Sequence, residues 1–263
     1  MVSAQLDDTL TDNHLLPTIM ILILAAAMSL MAQPDTVVTT VNRGDSVITV
    51  TTIDYGTQKT AKTVDYTSQF NNYKKLAGQN LPAAQYNLAM MYHRGQGTEV
   101  NDKEAVKWWK RAAERHHAPS EYMLYQCYSE GIGVKPSTKE AVKWLKAASE
   151  DGHPQASLDL ARAYIDGKGV KRDTEKAMVN LHDAANKGLD EALYEIALCY
   201  AGQPSETFAV ISLPRDMTRA KDMMTRAANN GYKPAAAILA RWYTDGTLPA
   251  DPARAARWKR SAQ

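Results

Sequence analysis

The sequence predicts an all-α protein, an α/α superhelical solenoid of about five helix hairpins of 36 residues each. Two observations carry this prediction. Tyrosines recur at a fixed interval, and each is preceded by apolar residues at helical spacing and followed in most units by glycines. The tyrosines are Tyr92, Tyr128, Tyr164, Tyr200 and Tyr243, and the longer last step indicates an insertion in the fourth unit.

The composition agrees with a folded chain and narrows the classes of function. Of the 263 residues, 44% are apolar and 23% are charged, which excludes a disordered or collagen-like chain. The 31 basic and 29 acidic residues nearly balance. We therefore expect no nucleic-acid partner, since such a partner requires a clustered basic face.

Residues 1–32 are predicted to form a signal peptide. The apolar core at residues 19–27 has the length of a signal-peptide hydrophobic region, and the run ends in small residues, with cleavage expected after Ala32. We therefore expect export to the periplasm or the extracellular space. Residues 1–14 contain no Lys or Arg, so a start at Met20 stays open as an alternative. An uncleaved anchor is the other alternative, and membrane association is expected only in that case.

Two short segments lie between the signal peptide and the repeats. Residues 33–66 are rich in Thr and Val around an Asn-Arg-Gly-Asp turn, which predicts a β-hairpin followed by a linker. We interpret the Arg-Gly-Asp triplet as part of this turn and not as an adhesion motif. Residues 67–80 are predicted to form an N-terminal capping helix, because Tyr73 and Ala77 precede Trp109 and Ala113 by one repeat length.

Each repeat is predicted to be a helix hairpin. In the first helix, an aliphatic residue lies four positions before the tyrosine and a small residue lies eight before it, so the three share one face. Paired glycines then end the helix in a left-handed cap, and an Ala- and Trp-containing second helix follows. Because one hairpin cannot bury its apolar faces alone, the units must stack. The predicted units are residues 81–116, 117–152, 153–188, 189–231 and 232–263.

This pattern resembles the Sel-1-like repeat, a relative of the tetratricopeptide repeat. The matching residues of the third unit are Leu160, Tyr164, Gly167, Gly169, Val170, Asp173, Lys176, Ala177, Ala184, Ala185 and Gly188. The fourth unit loses the glycine pair and the fifth keeps only Gly246. The resemblance implies a stacked superhelix that acts as a scaffold for protein interactions, in bacteria often in the cell envelope.

One branch of this family staples each repeat with a disulfide and has been linked to β-lactam hydrolysis. The cysteine pairs of that branch are absent here, so its activity is not transferred to this chain. Cys127 and Cys199 lie two units apart, at roughly 20 Å if hairpins stack at about 10 Å, which is too far for a disulfide. We predict two free, buried thiols.

The sequence supplies no recognisable catalytic, cofactor or metal motif. The glycine pairs follow helices and lack the Lys-Ser/Thr of a phosphate-binding loop, so we interpret them as turns. His116, His117 and His153 lie in turns between units, with no His-Glu-x-x-His or Cys-x-x-Cys pattern. Trp108, Trp109 and Trp144 are predicted to lie in the core. We therefore predict no catalytic residue, no cofactor and no metal ligand.

The candidate partner-binding residues are those that vary between units. One group lies five or two positions before each tyrosine, at what we call the variable positions. The other candidates lie at the edge of the first helices or in an apolar insert at residues 203–214. In the predicted superhelix the first helices line the concave side, while ordinary solvated surface is the alternative interpretation. The candidates are Asn87, Met90, Arg94, Met123, Gln126, Glu130, Asp159, Arg162, Asp166, Glu195, Arg241, Phe208, Val210 and Ile211.

From these observations we predict a monomeric, non-catalytic scaffold that binds a protein or peptide in the cell envelope or the extracellular space. The apolar insert either packs on the solenoid or meets the partner. An envelope enzyme acting on peptidoglycan or β-lactams is one alternative, and it predicts a pocket of converging polar groups. A self-assembling structural subunit is the other.

Overall fold

The computed structural model describes the backbone of residues 37–43, 46–52 and 64–65 and all atoms of residues 66–263. The predicted signal peptide, residues 1–32, lies outside the described residues. The chain divides into two compact units, one of residues 1–72 with 91–100 and one of residues 73–90 with 101–263. Among the described helices, none has both the length and the apolar character needed to span a membrane.

Three strands precede the helices. β1 (Val37–Arg43) and β2 (Ser46–Thr52) pair antiparallel, with Val37 opposite Thr52 and Arg43 opposite Ser46. β3 (Val64–Asp65) adds to the other edge of β2, giving the order β1-β2-β3. Thr and Val suit a pleated backbone because their branched β-carbons favour extended conformations.

Eleven helices lie between residues 67 and 263, and the predicted helical-repeat fold is confirmed. From α3 onward, each helix packs against the next along the chain, both within a hairpin and between hairpins. The helices are α1 (Thr67–Gly78), α2 (Pro82–Arg94), α3 (Asp102–Ala113), α4 (Ala118–Glu130), α5 (Thr138–Glu150), α6 (Pro154–Asp166), α7 (Thr174–Asn186), α8 (Asp190–Ala201), α9 (Met217–Asn229), α10 (Lys233–Thr244) and α11 (Pro252–Ser261). The first and second helices of the five repeats are therefore α2–α3, α4–α5, α6–α7, α8–α9 and α10–α11.

The predicted packing positions of the first helices form the core. The aliphatic residues four positions before each tyrosine are at most 5% exposed, and the small residues eight before it are at most 6% exposed. They are Leu88, Leu124, Leu160, Ile196 and Leu239, with Ala84, Ser120, Ala156, Ala192 and Ala235. The spacing of four and eight residues thus correctly identified the buried face.

The predicted core residues of the second helices are only partly confirmed, because Trp109 is buried but Trp108 and Trp144 are not. Trp108 and Trp144 are only partly buried, and each ring faces a cation: the Arg111 guanidinium lies 4.5 Å from the Trp108 ring and the Lys143 ammonium 5.3 Å from the Trp144 ring. In α3, α5, α7 and α9 the core position is the residue one further along, whereas in α11 Trp258 itself is buried. The residues one further along are Trp109, Leu145, Leu181 and Met224, all at most 1% exposed.

A polar side chain caps the start of every second helix from α3 to α11. In each case its side-chain oxygen accepts a hydrogen bond from a backbone N–H of the first turn, at 2.9–3.3 Å. Such a cap stabilises a helix by about 1 kcal/mol. The capping residues are Asn101, Ser137, Asp173, Asp216 and Asp251.

The two glycines of the second repeat have different tasks. Gly131 ends α4 in the left-handed conformation (φ +83°), and its N–H donates to the Cys127 carbonyl at 2.8 Å. Gly133 also has a positive φ, and a β-carbon there would lie 2.4 Å from the Asp102 carbonyl oxygen at the start of α3. The second glycine therefore permits close approach to the preceding repeat, a role that the sequence pattern did not predict.

The cysteine prediction is confirmed, because Cys127 and Cys199 are both free and buried. Burial raises the pKa of the Cys127 thiol to about 12 and that of the Cys199 thiol to about 11. Both side chains therefore act as small apolar core residues and not as reactive thiols.

Candidate functional site

The first helices carry two sets of positions, a constant buried set and the variable positions. The variable positions of the first three repeats are partly exposed, whereas those of the fourth are buried. In the fifth repeat Ile238 is partly exposed and Arg241 is exposed. The two faces of each first helix are therefore distinct, but the variable positions do not form one uniform surface.

In the third repeat, the variable residues Asp159 and Arg162 belong to a network that joins three first helices. The Tyr122 hydroxyl on α4 donates to Asp159 on α6 at 2.8 Å, and Arg162 donates to Asp159 at 3.0 Å. Arg162 also donates to Glu191 at the start of α8, at 2.6 Å. Burial, followed by the hydrogen bond to Asp159, raises the pKa of the Tyr122 hydroxyl. The structure brings these side chains together as links between repeats, and the single Arg162 guanidinium pairs with both carboxylates.

The fourth repeat does not expose its variable positions. Glu195 is 8% exposed and Leu198 is 5% exposed, so neither reaches a partner on the surface. Burial raises the pKa of the Glu195 carboxyl. Glu195 is therefore removed from the candidate partner-binding residues, because the chain around it covers it.

Two of the three candidate partner-binding residues in the insert are buried, so they are removed from the candidate set. Phe208 is fully buried and Ile211 is 5% exposed, and both lie in the core cluster of the C-terminal repeats. Val210, in contrast, is 61% exposed. Near the start of the insert, the Gln203 side-chain oxygen accepts hydrogen bonds from Arg241 and from the Trp242 indole, both at 3.1 Å. The insert thus packs on the solenoid, which was one of the two predicted outcomes.

The variable positions of the first two repeats remain as a neutral, partly exposed set. Asn87 and Met90 lie on α2, and Met123 and Gln126 lie at the equivalent positions of α4. The two side-chain amides make no hydrogen bond to any residue in the described part of the chain. We call these four residues the first-helix patch.

The predicted edge residues are exposed. Glu130 and Asp166 lie at the ends of α4 and α6, and Arg94 ends α2. Arg94 belongs to the other compact unit, so it is not counted with the first-helix patch. No ion pair with Glu130 or Asp166 occurs among residues 66–263.

Ring contacts between neighbouring repeats were missed from the sequence. Three first helices carry a tyrosine six positions before the repeat tyrosine. Each of these rings contacts the ring of the residue directly before the first helix of the next repeat. The centroids are 5.4 Å apart for Tyr86 and His117, 4.3 Å for Tyr122 and His153, and 5.5 Å for Tyr194 and Tyr232. The signal was the recurrence of tyrosine at this position. It gives two of the turn histidines a packing role, and burial lowers the pKa of both His117 and His153.

The third turn histidine lies in a cluster of titratable groups. One ligand atom from each of His116, Glu121 and Asp151 lies within 4.8 Å of the others, and the His116 Nδ1 lies 2.8 Å from the Asp151 carboxylate. Burial, with a smaller contribution from Asp151, raises the pKa of Glu121 to about 7. The sequence missed this cluster because its members come from three separate parts of two repeats.

A shallow depression of about 510 Å³ lies beside the second helix of the third repeat. Its lining includes Val179 and His182 of α7, Tyr200 of α8 and Leu213 of the insert. Val179 is 67% exposed. This depression is mainly apolar and was not predicted.

The chain belongs to the Sel1 repeat family. The family model, Sel1 repeat, matches residues 82–117, 118–153, 154–189, 190–232 and 233–262. This repeat fold generally serves as a scaffold for protein interactions, and proteins built from it are typically non-catalytic.

Solved structures of Sel1 repeat proteins are similar to the chain. A Sel1 repeat protein from Oxalobacter formigenes is 33% identical, with a TM-score of 0.61 over 75% of this chain and 76% of that protein. The protein c5321, a protective antigen of uropathogenic Escherichia coli with an SLR fold, is 29% identical, with a TM-score of 0.65. That match covers 75% of this chain but only 41% of the E. coli protein.

The immunity protein PA5088 of Pseudomonas aeruginosa shares the fold. It is 20% identical, with a TM-score of 0.50 over 73% of this chain and 71% of that protein. A search of curated proteins found none that matches.

Proposed function

We propose that the chain is an exported scaffold of the cell envelope or extracellular space that binds a protein or peptide through the first-helix patch. The observation that carries the proposal is the contrast between repeats. Charged variable residues of the third repeat are paired within the chain, whereas Asn87, Met90, Met123 and Gln126 keep partly exposed side chains without such pairing.

The chemistry of the first-helix patch suits a peptide segment of a partner. The two methionines are flexible and polarisable, so they adapt to apolar side chains of different shape. Asn87 and Gln126 each offer both a donor and an acceptor, which matches the backbone groups of an extended chain. The patch carries no formal charge, so the proposed partner segment is apolar and neutral, not acidic or basic.

Affinity capture from a native envelope fraction tests this proposal. The double variant Met90→Glu/Met123→Glu places two charges in the patch without disturbing a buried residue. We expect it to lose the proteins that the wild-type chain retains in stoichiometric amounts. The matched control is Val179→Glu, which adds a charge to an exposed valine on a second helix and is expected to retain them. Equal recovery by all three chains would contradict the proposal.

Export is supported by the apolar run at residues 15–32 and by the similarity to an E. coli protein described as a protective antigen. A protective antigen has to be accessible to the immune system of a host. We expect the chain in the periplasmic or culture fraction, with a mature N-terminus at Gln33 by mass spectrometry. Recovery of the intact chain from the cytoplasm alone would contradict export.

The scaffold proposal also predicts that the purified chain turns over no β-lactam. A nitrocefin assay clearly above background would contradict it and favour the enzyme alternative. We further expect a single monomeric species by light scattering, and assembly into larger species would favour the structural-subunit alternative.

A further inference from the structure

The His116, Glu121 and Asp151 cluster joins three elements of two successive repeats. His116 lies in the turn that ends the first repeat, Glu121 lies in the first turn of α4, and Asp151 follows α5. All three belong to one compact unit. One ligand atom from each lies within 4.8 Å of the other two. The His116 side chain is 82% exposed, so one side of the cluster is open to solvent.

The buried member of the cluster has an unsatisfied oxygen. Glu121 is only 2% exposed, and its Oε2 has no hydrogen-bond partner among residues 66–263. A buried carboxyl oxygen without a partner is costly, because it loses its hydration without a replacement. The carboxyl group that carries this oxygen lies beside a second carboxylate and an imidazole, and a cation bound between them would satisfy it.

All three residues depart from the other repeats. Where this turn has His116, the later turns have Gly152, Gly188 and Gly231, and His116 keeps the left-handed conformation of those glycines with a φ of +58°. A residue with a β-carbon is disfavoured in this conformation, so histidine here is not explained by the turn alone. Glu121 and Asp151 likewise have no acidic counterpart in the other repeats. The residues equivalent to Glu121 are Gln85, Ser157, Leu193 and Ala236. Those equivalent to Asp151 are Arg115, Lys187 and Asn230.

We propose that His116, Glu121 and Asp151 bind a divalent transition-metal ion, with Zn²⁺ as the best match. One imidazole nitrogen and two carboxylate oxygens form a mixed donor set that suits Zn²⁺ better than Mg²⁺ or Ca²⁺, which prefer oxygen alone. Bonds of about 2.0–2.2 Å in tetrahedral geometry place ligand atoms roughly 3.3–3.5 Å apart, so no pair has to close by more than about 1.5 Å. The His116 Nδ1 and the Asp151 oxygen, 2.8 Å apart, have to separate slightly. The solvent-exposed side leaves the fourth position to water. The ion ties the turn of the first repeat to both helices of the second.

Calorimetric titration of the chelator-treated full chain with ZnCl₂ tests the site. We expect one ion per chain and a rise in Tm of about 5–10 °C at a hundredfold excess of Zn²⁺ over its Kd. Glu121→Gln and Asp151→Asn are each expected to weaken binding at least about tenfold. Co²⁺ in place of Zn²⁺ is expected to give the visible absorption of a tetrahedral site.

The variant His116→Gly separates loss of binding from loss of folding. Glycine adopts the positive φ of this turn without strain, so without metal its Tm is expected to equal or exceed that of the wild type. The same variant is expected to lose the Zn²⁺-dependent rise in Tm. The control His182→Gln removes a histidine outside the cluster and is expected to bind Zn²⁺ as the wild type does. No saturable binding by the wild type would overturn the proposal, and so would wild-type binding by His116→Gly.

Discussion

Replacement of Phe208 by alanine is expected to destabilise the C-terminal repeats strongly. The Phe208 ring is fully buried in the core cluster that also contains Ile196, Met224 and Trp242. Removal of a buried phenyl ring costs about 3–5 kcal/mol of unfolding free energy, including the cavity it leaves. For a chain of this size, each kcal/mol lowers Tm by about 2–4 °C, so the transition should fall by about 6–20 °C.

Thermal unfolding followed by circular dichroism measures this effect, and Val210→Ala is the matched control. Val210 lies in the same insert but is 61% exposed, so its truncation should change the unfolding free energy by less than about 0.5 kcal/mol. Stability in a solenoid is a sum of repeat and interface contributions, so limited proteolysis should show that the loss lies in the last two repeats. The reasoning is refuted if Phe208→Ala leaves Tm unchanged while abolishing capture of a partner.

Three further predictions follow from the described contacts. Gly152→Ala should lower the unfolding free energy by about 1–2 kcal/mol, because of the positive φ alone. Gly133→Ala should lower it further, because the Asp102 backbone must also move. Equal unfolding midpoints of the two variants in urea would contradict this. The Cys127 and Cys199 thiols should react slowly with Ellman's reagent at pH 8 until the chain unfolds, given their raised pKa values, and fast reaction of the folded chain would refute their burial. The raised pKa of Glu195 means that its folded state favours the protonated form, so the stability it contributes at low pH is lost as pH rises above about 4.5. The Tm advantage of Glu195→Gln over the wild type should therefore grow toward neutral pH, and a constant difference would argue against a buried carboxyl.

The fold could be predicted from the sequence because its repeated contacts are local. The positions four and eight residues before each tyrosine share one helix face, and that face is buried in all five repeats. A helix hairpin also ends at recognisable residues, such as the left-handed Gly131 and the capping Asp173. Each of these signals acts within a few residues of chain, so a single sequence displays it.

The second-helix register was harder to predict, because Trp108 and Trp109 are adjacent and both large. Trp109 is buried, while Trp108 is only partly buried, with the Arg111 guanidinium 4.5 Å from its ring. Composition alone does not distinguish two neighbouring tryptophans, since one residue corresponds to a turn of only about 100° around the helix. The equivalent positions of the next three repeats identify Trp109 as the core residue, because they hold the apolar residues Leu145, Leu181 and Met224.

The candidate site was predicted less well, because its outcome depends on contacts between repeats. Variation between units correctly marked the partly exposed positions of the first two repeats. It failed for Glu195, which its own repeat covers. Phe208, a candidate because the insert is apolar, lies in the core instead. The His116 cluster was missed because ligands from three elements leave no short motif.

Site-specific photo-crosslinking in living cells tests the central claim most directly. A benzoylphenylalanine residue introduced at position 123 of the first-helix patch is compared with the same residue at position 179 of α7. Our account predicts a discrete crosslinked partner from position 123 and none from position 179. Crosslinks from position 179 alone, or from neither position, would contradict a partner-binding first-helix patch.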